Sequence, residues 1–255
     1  MCAGYAYAKD VMDRLTSLIS RFRMRVDIAA CPHANLCVLT GHAGAQTLLF
    51  TPGSTVQATE AAAGAVCLAL RVDWDGAHNP LVAALPQRVE VALSQTPQLA
   101  AILDLMRQEL EAHRCGAESV LSSLGQALMV RLLRHLIEAG TAEPGLLAGL
   151  ADQRLARAIV SMHDEPGRVW TTADLAQEAG LSLSRFSELF SGQMNETPMG
   201  YLRRWRLTLA RQDLLRGDRV EAVARRYAYE SPEGFTRAFR KAYGVAPVSL
   251  RQSAA

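Results

Sequence analysis

The spacing of apolar residues changes along this 255-residue chain, and that change demands two architectures. Between Arg25 and Val72 the apolar residues come in short runs, Leu36 to Leu39, Leu48 to Phe50 and Val66 to Leu70, separated by Pro, Gly, Ser and Thr. Runs of that length with such punctuation predict β-strands. Asp73, Gly76, Asn79 and Pro80 close the section with loop chemistry. The strand region is short for a complete small barrel, so an open or minimal sheet is expected.

From Pro97 the period becomes helical. Leu99, Ile102, Leu103, Met106 and Leu110 recur at three- and four-residue steps, as do Val120, Leu121, Leu124, Leu128, Leu132, Leu133 and Leu136. This predicts two amphipathic helices, Leu99 to His113 and Glu118 to Glu138, with a turn over Arg114 to Ala117. Gly140 to Gly149 carries Thr, Pro and three Gly and reads as part of a linker. From Asp152 the pattern is helical, with breaks at Glu165 to Arg168, Gly180, Asn195 to Pro198, Gly217 to Arg219 and Ser231. The expected fold is α+β. A short β-rich domain with two helices occupies 1–139, a linker 140–151, and an all-α domain of about seven helices 152–255.

Composition narrows the function classes. Nearly half the residues are apolar (49%) and a fifth charged, as in a globular protein with a full core. No continuous apolar run reaches membrane-spanning length, and Met1 to Asp10 lacks the pattern of a signal peptide, so a cytoplasmic protein with no membrane contact is expected. Five cysteines, an odd number, suit free thiols in that compartment. The net charge of +2 is uneven. Residues 152–255 hold sixteen Arg and Lys against twelve Asp and Glu, a balance of +4, while 1–151 sum to −2. A basic excess in one half fits a phosphate-contacting surface.

Two helix-turn-helix units are written into that basic half. In the first, Thr171 to Gln193, Thr172 is the expected N-cap and Asp174 suits the helix dipole. Gly180 ends the helix and Leu181 fills the corner. Ser182 caps a second helix, whose Phe186, Leu189 and Phe190 face inward and whose Ser184, Arg185, Ser187, Glu188 and Ser191 face outward. The second unit repeats the plan about fifty residues later. Val220, Val223 and Ala224 form the inner face of the supporting helix, Tyr227 follows, and Ala228 and Tyr229 occupy the turn. Ser231 and Pro232 start a helix with Phe235, Ala238 and Phe239 inward. Glu233, Thr236, Arg237, Arg240 and Lys241 face outward. A helix fits the major groove, and a second helix at a fixed angle holds it there. Tyr201 to Leu207 reads as a rigid helix joining the two units.

The run Tyr229-Glu230-Ser231-Pro232-Glu233-Gly234-Phe235-Thr236-Arg237-Ala238-Phe239-Arg240-Lys241-Ala242-Tyr243-Gly244-Val245-Ala246-Pro247 resembles the signature of the AraC/XylS family of regulators. Trp170 to Phe190, Thr197-Pro198 and Tyr201 to Leu215 match the same family in order. The resemblance covers roughly 152–252. It implies a seven-helix domain with two recognition helices in successive major-groove segments, about one DNA turn apart. Asp10 to Phe22, Leu48 to Pro52, Leu70 to Asp73, Asn79 to Leu81 and Leu85-Pro86 resemble the cupin-type sensor domain of one branch of that family.

Carried over by position, the base-contacting residues are Ser184, Arg185, Ser187 and Glu188 in the first recognition helix and Glu233 and Arg237 in the second. Thr236, Arg240, Lys241, Arg203 and Arg204 are backbone contacts, with Arg206 a candidate addition to the same field. Glu188 departs from the family, which often has a basic or neutral residue there; a carboxylate accepts from a cytosine amino group or repels phosphate. Cys31, His33, Cys37 and His42 hold zinc-binding atoms, but at an unfamiliar spacing, so neither metal nor cofactor is expected. Little positive charge surrounds Cys31, Cys37 and Cys67 to lower a thiol pKa, and Cys37 and Cys67 read as buried small hydrophobes.

These features predict a sequence-specific DNA-binding transcription regulator. Its partners would be a double-stranded DNA operator, a second copy of the chain in a homodimer formed by the helices of 1–139, RNA polymerase in the case of an activator, and a small-molecule effector. The alternative is a small-molecule or redox sensor whose helical domain acts on protein partners. No Ser-His-Asp arrangement, Gly-rich phosphate loop or paired carboxylate emerges, so no enzyme is expected.

Overall fold

The computed structural model describes residues 13–22, 24–41, 44–56, 65–74, 79–112, 114–140 and 143–252. It divides into two compact units, Ile19–Ala142, and Met1–Leu18 together with Glu143–Ala255. Of the expected leading helix Asp10 to Phe22, the part after residue 12 lies within the described residues, as helix α1 (Thr16–Arg21).

Among the described residues the Ile19–Ala142 unit is a five-stranded antiparallel sheet followed by two long helices. Its strands are β1 (Met24–Ile28), β2 (Leu36–Thr40), β3 (Gln46–Phe50), β4 (Ala65–Trp74) and β5 (Val89–Ala92), in the order β1-β4-β2-β3-β5. Leu68, Leu70 and Val72 alternate inward along β4, and Leu70 stands opposite both Ile28 on β1 and Leu36 on β2. The sheet is larger than the apolar runs suggest. β5 has an alternating Val-Glu-Val-Ala pattern too short to form a run, and a short helix α2 (Pro80–Ala84), capped by the Asn79 side chain, occupies part of the expected loop. Buried Asn35 closes the sheet in place of a strand residue. Its amide donates to the Val72 carbonyl at 2.8 Å, and its side-chain oxygen accepts from the Val72 N–H at 2.7 Å.

Helices α3 (Pro97–Ala112) and α4 (Ala117–Ala139) pack against each other, and α4 lies on β1. Where α4 meets β1, a Cβ on Gly125 would come within 2.5 Å of the Val26 side chain. The helix accepts a residue that costs it about 1 kcal/mol because no larger one fits. Among the described residues α4 alone is long and apolar enough to cross a membrane, although no unbroken apolar run announces it. Its Leu121, Leu128, Met129, Leu132, Leu133 and Ile137 are buried within the protein, which accounts for that composition.

Cys37 lies in the core with Ala34, Leu49 and Val56. Burial, with a smaller contribution from Cys31, pushes its thiol up to about 11. Cys67, expected to be buried, is exposed, because it falls on the outward side of the β4 alternation; its sulfur lies 3.2 Å from the Val38 carbonyl oxygen. His42 lies outside the described residues. Among the described residues no group of three or more His, Cys, Asp or Glu is placed to hold a metal ion.

The second unit is helical: α5 (Leu146–Ala151), α6 (Gln153–Asp164), α7 (Thr172–Ala179), α8 (Leu183–Met194), α9 (Pro198–Leu215), α10 (Val220–Arg226), α11 (Pro232–Tyr243) and α12 (Pro247–Gln252). Among the described residues seven helices follow Asp152, the number expected. Helix α5 falls in the segment expected to be a linker. Its Leu146, Leu147 and Leu150 are buried, and Gly149 faces Met194 so closely that a Cβ would lie 2.3 Å from the sulfur. One of the three glycines that mark the segment as a linker therefore sits at a point of close packing.

Candidate nucleic-acid interface

Each helix-turn-helix unit is built from the same local parts. Helix α7 opens on a capping box in which Thr171, not Thr172, is the N-cap: its hydroxyl accepts from the Asp174 N–H, and the Asp174 carboxylate accepts from the Thr171 N–H at 2.8 Å. The Thr171 backbone N–H, and after it the Thr171 hydroxyl donating to the same carboxylate at 2.8 Å, hold the Asp174 carboxyl below the usual aspartate range. The helix ends on Gly180 with φ +66°, where Leu181 N–H donates to the Ala176 carbonyl and Gly180 N–H to that of Gln177, both at 2.9 Å. The second unit has the same pair of bonds. Tyr229 N–H donates to the Ala224 carbonyl at 3.0 Å and Ala228 N–H to that of Arg225 at 3.1 Å. Here the left-handed residue is Ala228, with φ +57°, so the geometry is kept without the glycine that favours it.

The recognition helices α8 and α11 share a register. Ser182 and Ser231 are their N-caps, accepting from the N–H three residues on, Arg185 and Gly234. Phe186 and Phe190 on α8, and Phe235 and Phe239 on α11, stand four and eight residues beyond the caps and are fully buried. Both Phe pairs have ring centroids 5.5 Å apart, and the edges of Tyr201 and Tyr229 complete the two aromatic faces.

Opposite those faces lie the residues named from sequence. Ser184, Arg185, Glu188, Glu233, Arg237, Arg240 and Lys241 are exposed, as are Arg203 and Arg204 on α9; Ser187 and Thr236 are half-buried. Two features were not legible beforehand. Arg185 and Glu188, one turn apart on α8, form an ion pair at 3.0 Å. Arg204 is engaged by Glu196 and lies over the Tyr201 ring at 5.1 Å, which leaves Arg203 the more open of the two. Arg206 does not join the outer field. Its guanidinium donates to the carbonyls of Pro166 and Arg168, each at 2.7 Å, and so holds the α6–α7 loop.

Buried contacts at both ends of α9 tie it to the two helix-turn-helix units. His163 of α6 is fully buried; its Nε2 lies 2.5 Å from the Tyr201 hydroxyl and its ring centroid 4.2 Å from that of Trp205, both on α9. At the other end of α9, Asp213 accepts from the Tyr227 hydroxyl at 2.8 Å and pairs with Arg216 and Arg226. Gly167 closes the frame, because a Cβ there would sit 2.3 Å from the Arg226 carbonyl oxygen. Asp213 and His163 went unnoticed in the sequence; the available signal was a polar residue on the inward face of an amphipathic helix.

In the Ile19–Ala142 unit a groove of about 820 Å³ runs beside the β1–β4 pair, lined by Met24, Arg25, Asp73, Trp74, Gln126 and Val130 among others. The buried indole N–H of Trp74 has no hydrogen-bond partner among the described residues.

Comparison with known proteins agrees with both halves. A helix-turn-helix domain family matches residues 175–253, and a cupin family matches residues 23–138. A putative AraC-like transcription regulator of Streptomyces lividans is 34% identical over 181 residues, 69% of this chain and 59% of that protein. An uncharacterized HTH-type transcriptional regulator of Haemophilus influenzae is 29% identical over 174 residues, 68% and 58% of the two chains. The chain thus spans less than two thirds of these relatives' length. Among solved structures, the DNA-binding domain of AdpA in complex with a target DNA matches 38% of this chain and 89% of its own at 24% identity, with a TM-score of 0.37. A single-substitution variant of apo ToxT from Vibrio cholerae matches 92% and 89% at 9% identity, with a TM-score of 0.43. The chain thus carries a cupin domain followed by an AraC-type helix-turn-helix domain, and is similar to proteins named AraC-like transcription regulators.

Proposed function

We propose that the chain is a sequence-specific DNA-binding transcription regulator that reads two successive major-groove segments. The observation that carries this is the matched register of α8 and α11. Each buries an aromatic face and leaves a polar face exposed, and α9 spans the interval between them. Ser184, Arg185, Ser187, Glu188, Glu233 and Arg237 contact bases; Thr236, Arg240, Lys241, Arg203 and Arg204 contact the backbone. The relatives' names support the same reading. The regulator acts in the cytoplasm and has no enzymatic step.

The N-terminal unit serves as sensor and dimerisation domain. Exposed Leu105 on α3 and Val120 on α4 support a homodimer through these helices. The groove beside Trp74 supports a small-molecule effector. RNA polymerase is a partner in the case of activation.

The test is a map of genomic sites bound by the full chain, followed by titration of an enriched duplex at rising salt. Enriched sites whose affinity falls steeply with salt are expected, since phosphate contacts release counterions. A map with no enrichment overturns the reading.

A further inference from the structure

The geometry points to Glu188 as a specificity-determining residue that selects cytosine in the first groove segment, at the place where Arg237 selects guanine in the second. This rests on the DNA-binding reading above and adds to it what the first helix reads.

Register is the basis. Counted from their serine caps, Glu188 and Arg237 are both the sixth residue, each between the two buried phenylalanines of its helix and on the opposite face. The two side chains therefore hold the same station on the outer faces of two like-built helices, with opposite charge. Arginine suits the O6 and N7 acceptors of guanine, and a carboxylate accepts from the exocyclic amino group of cytosine. One architecture, used twice with inverted charge, asks for inverted donor and acceptor patterns.

The ion pair with Arg185 explains how a carboxylate is tolerated beside phosphate. Arg185 lies at 3.0 Å from Glu188 and offsets its charge while both stay exposed, with 56% and 73% of their side chains accessible. Such an exposed pair is weak and opens readily when either group finds a better partner. Glycine stands at the α11 position equivalent to Arg185, so Arg237 has no counterpart to that pairing. Glu188 reads, and Arg185 screens it.

The experiment is selection of the full chain against a randomised duplex DNA library, repeated for Glu188→Gln, Glu188→Ala, Arg185→Ala and Arg237→Ala. Wild type is expected to enrich a guanine lost in Arg237→Ala and, about ten base pairs away, a cytosine lost in Glu188→Ala and weakened or exchanged in Glu188→Gln. Cytosine over the other bases should be favoured by about fivefold or more, the low end of base-edge discrimination, because cytosine presents a single donor to the carboxylate. Arg185→Ala should lower affinity, lose the preference at the base that Arg185 itself contacts, and keep the cytosine preference. If Glu188→Ala keeps the cytosine, or only raises affinity for every duplex alike, Glu188 is merely a repulsive charge and the inference fails. The same holds if wild type shows no preference at that position while the Arg237-dependent guanine remains. A wild type that enriches no sequence sinks the DNA-binding reading itself, so the two failures are distinct.

Discussion

The Tyr227 hydroxyl donates a hydrogen bond to the Asp213 carboxylate at 2.8 Å, tying the end of α10 to the end of α9 beneath the second recognition helix. Asp213 is 2% exposed and also pairs with Arg216 and Arg226, whose outer parts reach solvent. A hydrogen bond to a charged group contributes about 1.5–3 kcal/mol, and the exposed ends of the two arginines keep the total near that figure. Asp213→Ala is expected to destabilise the chain by about 2 kcal/mol. Asp213→Asn, which keeps the shape, should lose less. Chemical denaturation of the three proteins measures this, and equal stability of wild type and Asp213→Ala would contradict it.

Ala228 keeps a left-handed backbone that glycine adopts without penalty. Ala228→Gly should stabilise the second unit by up to about 1 kcal/mol, since relief of strain outweighs the added freedom of the unfolded chain. Gly180→Ala, at the equivalent turn of the first unit, should do the reverse, and its Cβ would also press on the Arg157 guanidinium at 3.2 Å. Melting temperatures shifted in opposite directions by about 2–4 °C are expected. Shifts of the same sign would mean the turns are not equivalent.

Phe239 is fully buried between Phe235 and Tyr243. Phe239→Ala should cost about 3–5 kcal/mol. An unchanged melting profile would refute that packing. Arg237→Ala leaves the core alone and should weaken binding to a specific site far more than to random duplex, by a discrimination of about 1–3 kcal/mol. Equal loss on both would make Arg237 a backbone contact.

Asp174 accepts two bonds from Thr171, which hold its carboxyl below the unfolded value. A lowered native pKa contributes stability above the unfolded value, about 3.9, and loses it as pH falls through the native one. Asp174→Asn should therefore melt below wild type at neutral pH, with the gap closing in acid beneath pH about 4. A gap constant with pH would show that charge plays no part in the cap.

Cys37 is buried, with its thiol pushed up to about 11, whereas Cys67 and Cys115 are exposed. Thiolate is the reactive form, so alkylation of the native chain at about pH 7.5 should label Cys67 and Cys115 first and Cys37 only after unfolding. Mass spectrometry of the digested product reads the order. Early labelling of Cys37 would mean its core opens in the native state.

The amino-acid sequence by itself determined the paired helix-turn-helix domain. Its signals are local: Ser182 and Ser231 as caps, phenylalanines four residues apart, Gly180 after a short helix, all within stretches of some twenty residues where backbone geometry follows from neighbours. The outward position of most of the proposed contact residues could be read for the same reason, because helical period assigns faces, with Ser187 and Thr236 half-buried at the edge. Only the tertiary structure decided what pairs across distance. Strand β5 joins β3 through a register no local pattern reveals; Asp213 needs Arg226 and Tyr227 from another helix; α5 is fixed by Met194, forty-five residues beyond Gly149. Side-chain rotamers decided the Arg185–Glu188 pair, since one-turn spacing allows an ion pair without requiring it. Contacts between remote segments depend on how whole faces are covered, and a linear pattern records the face but not its cover.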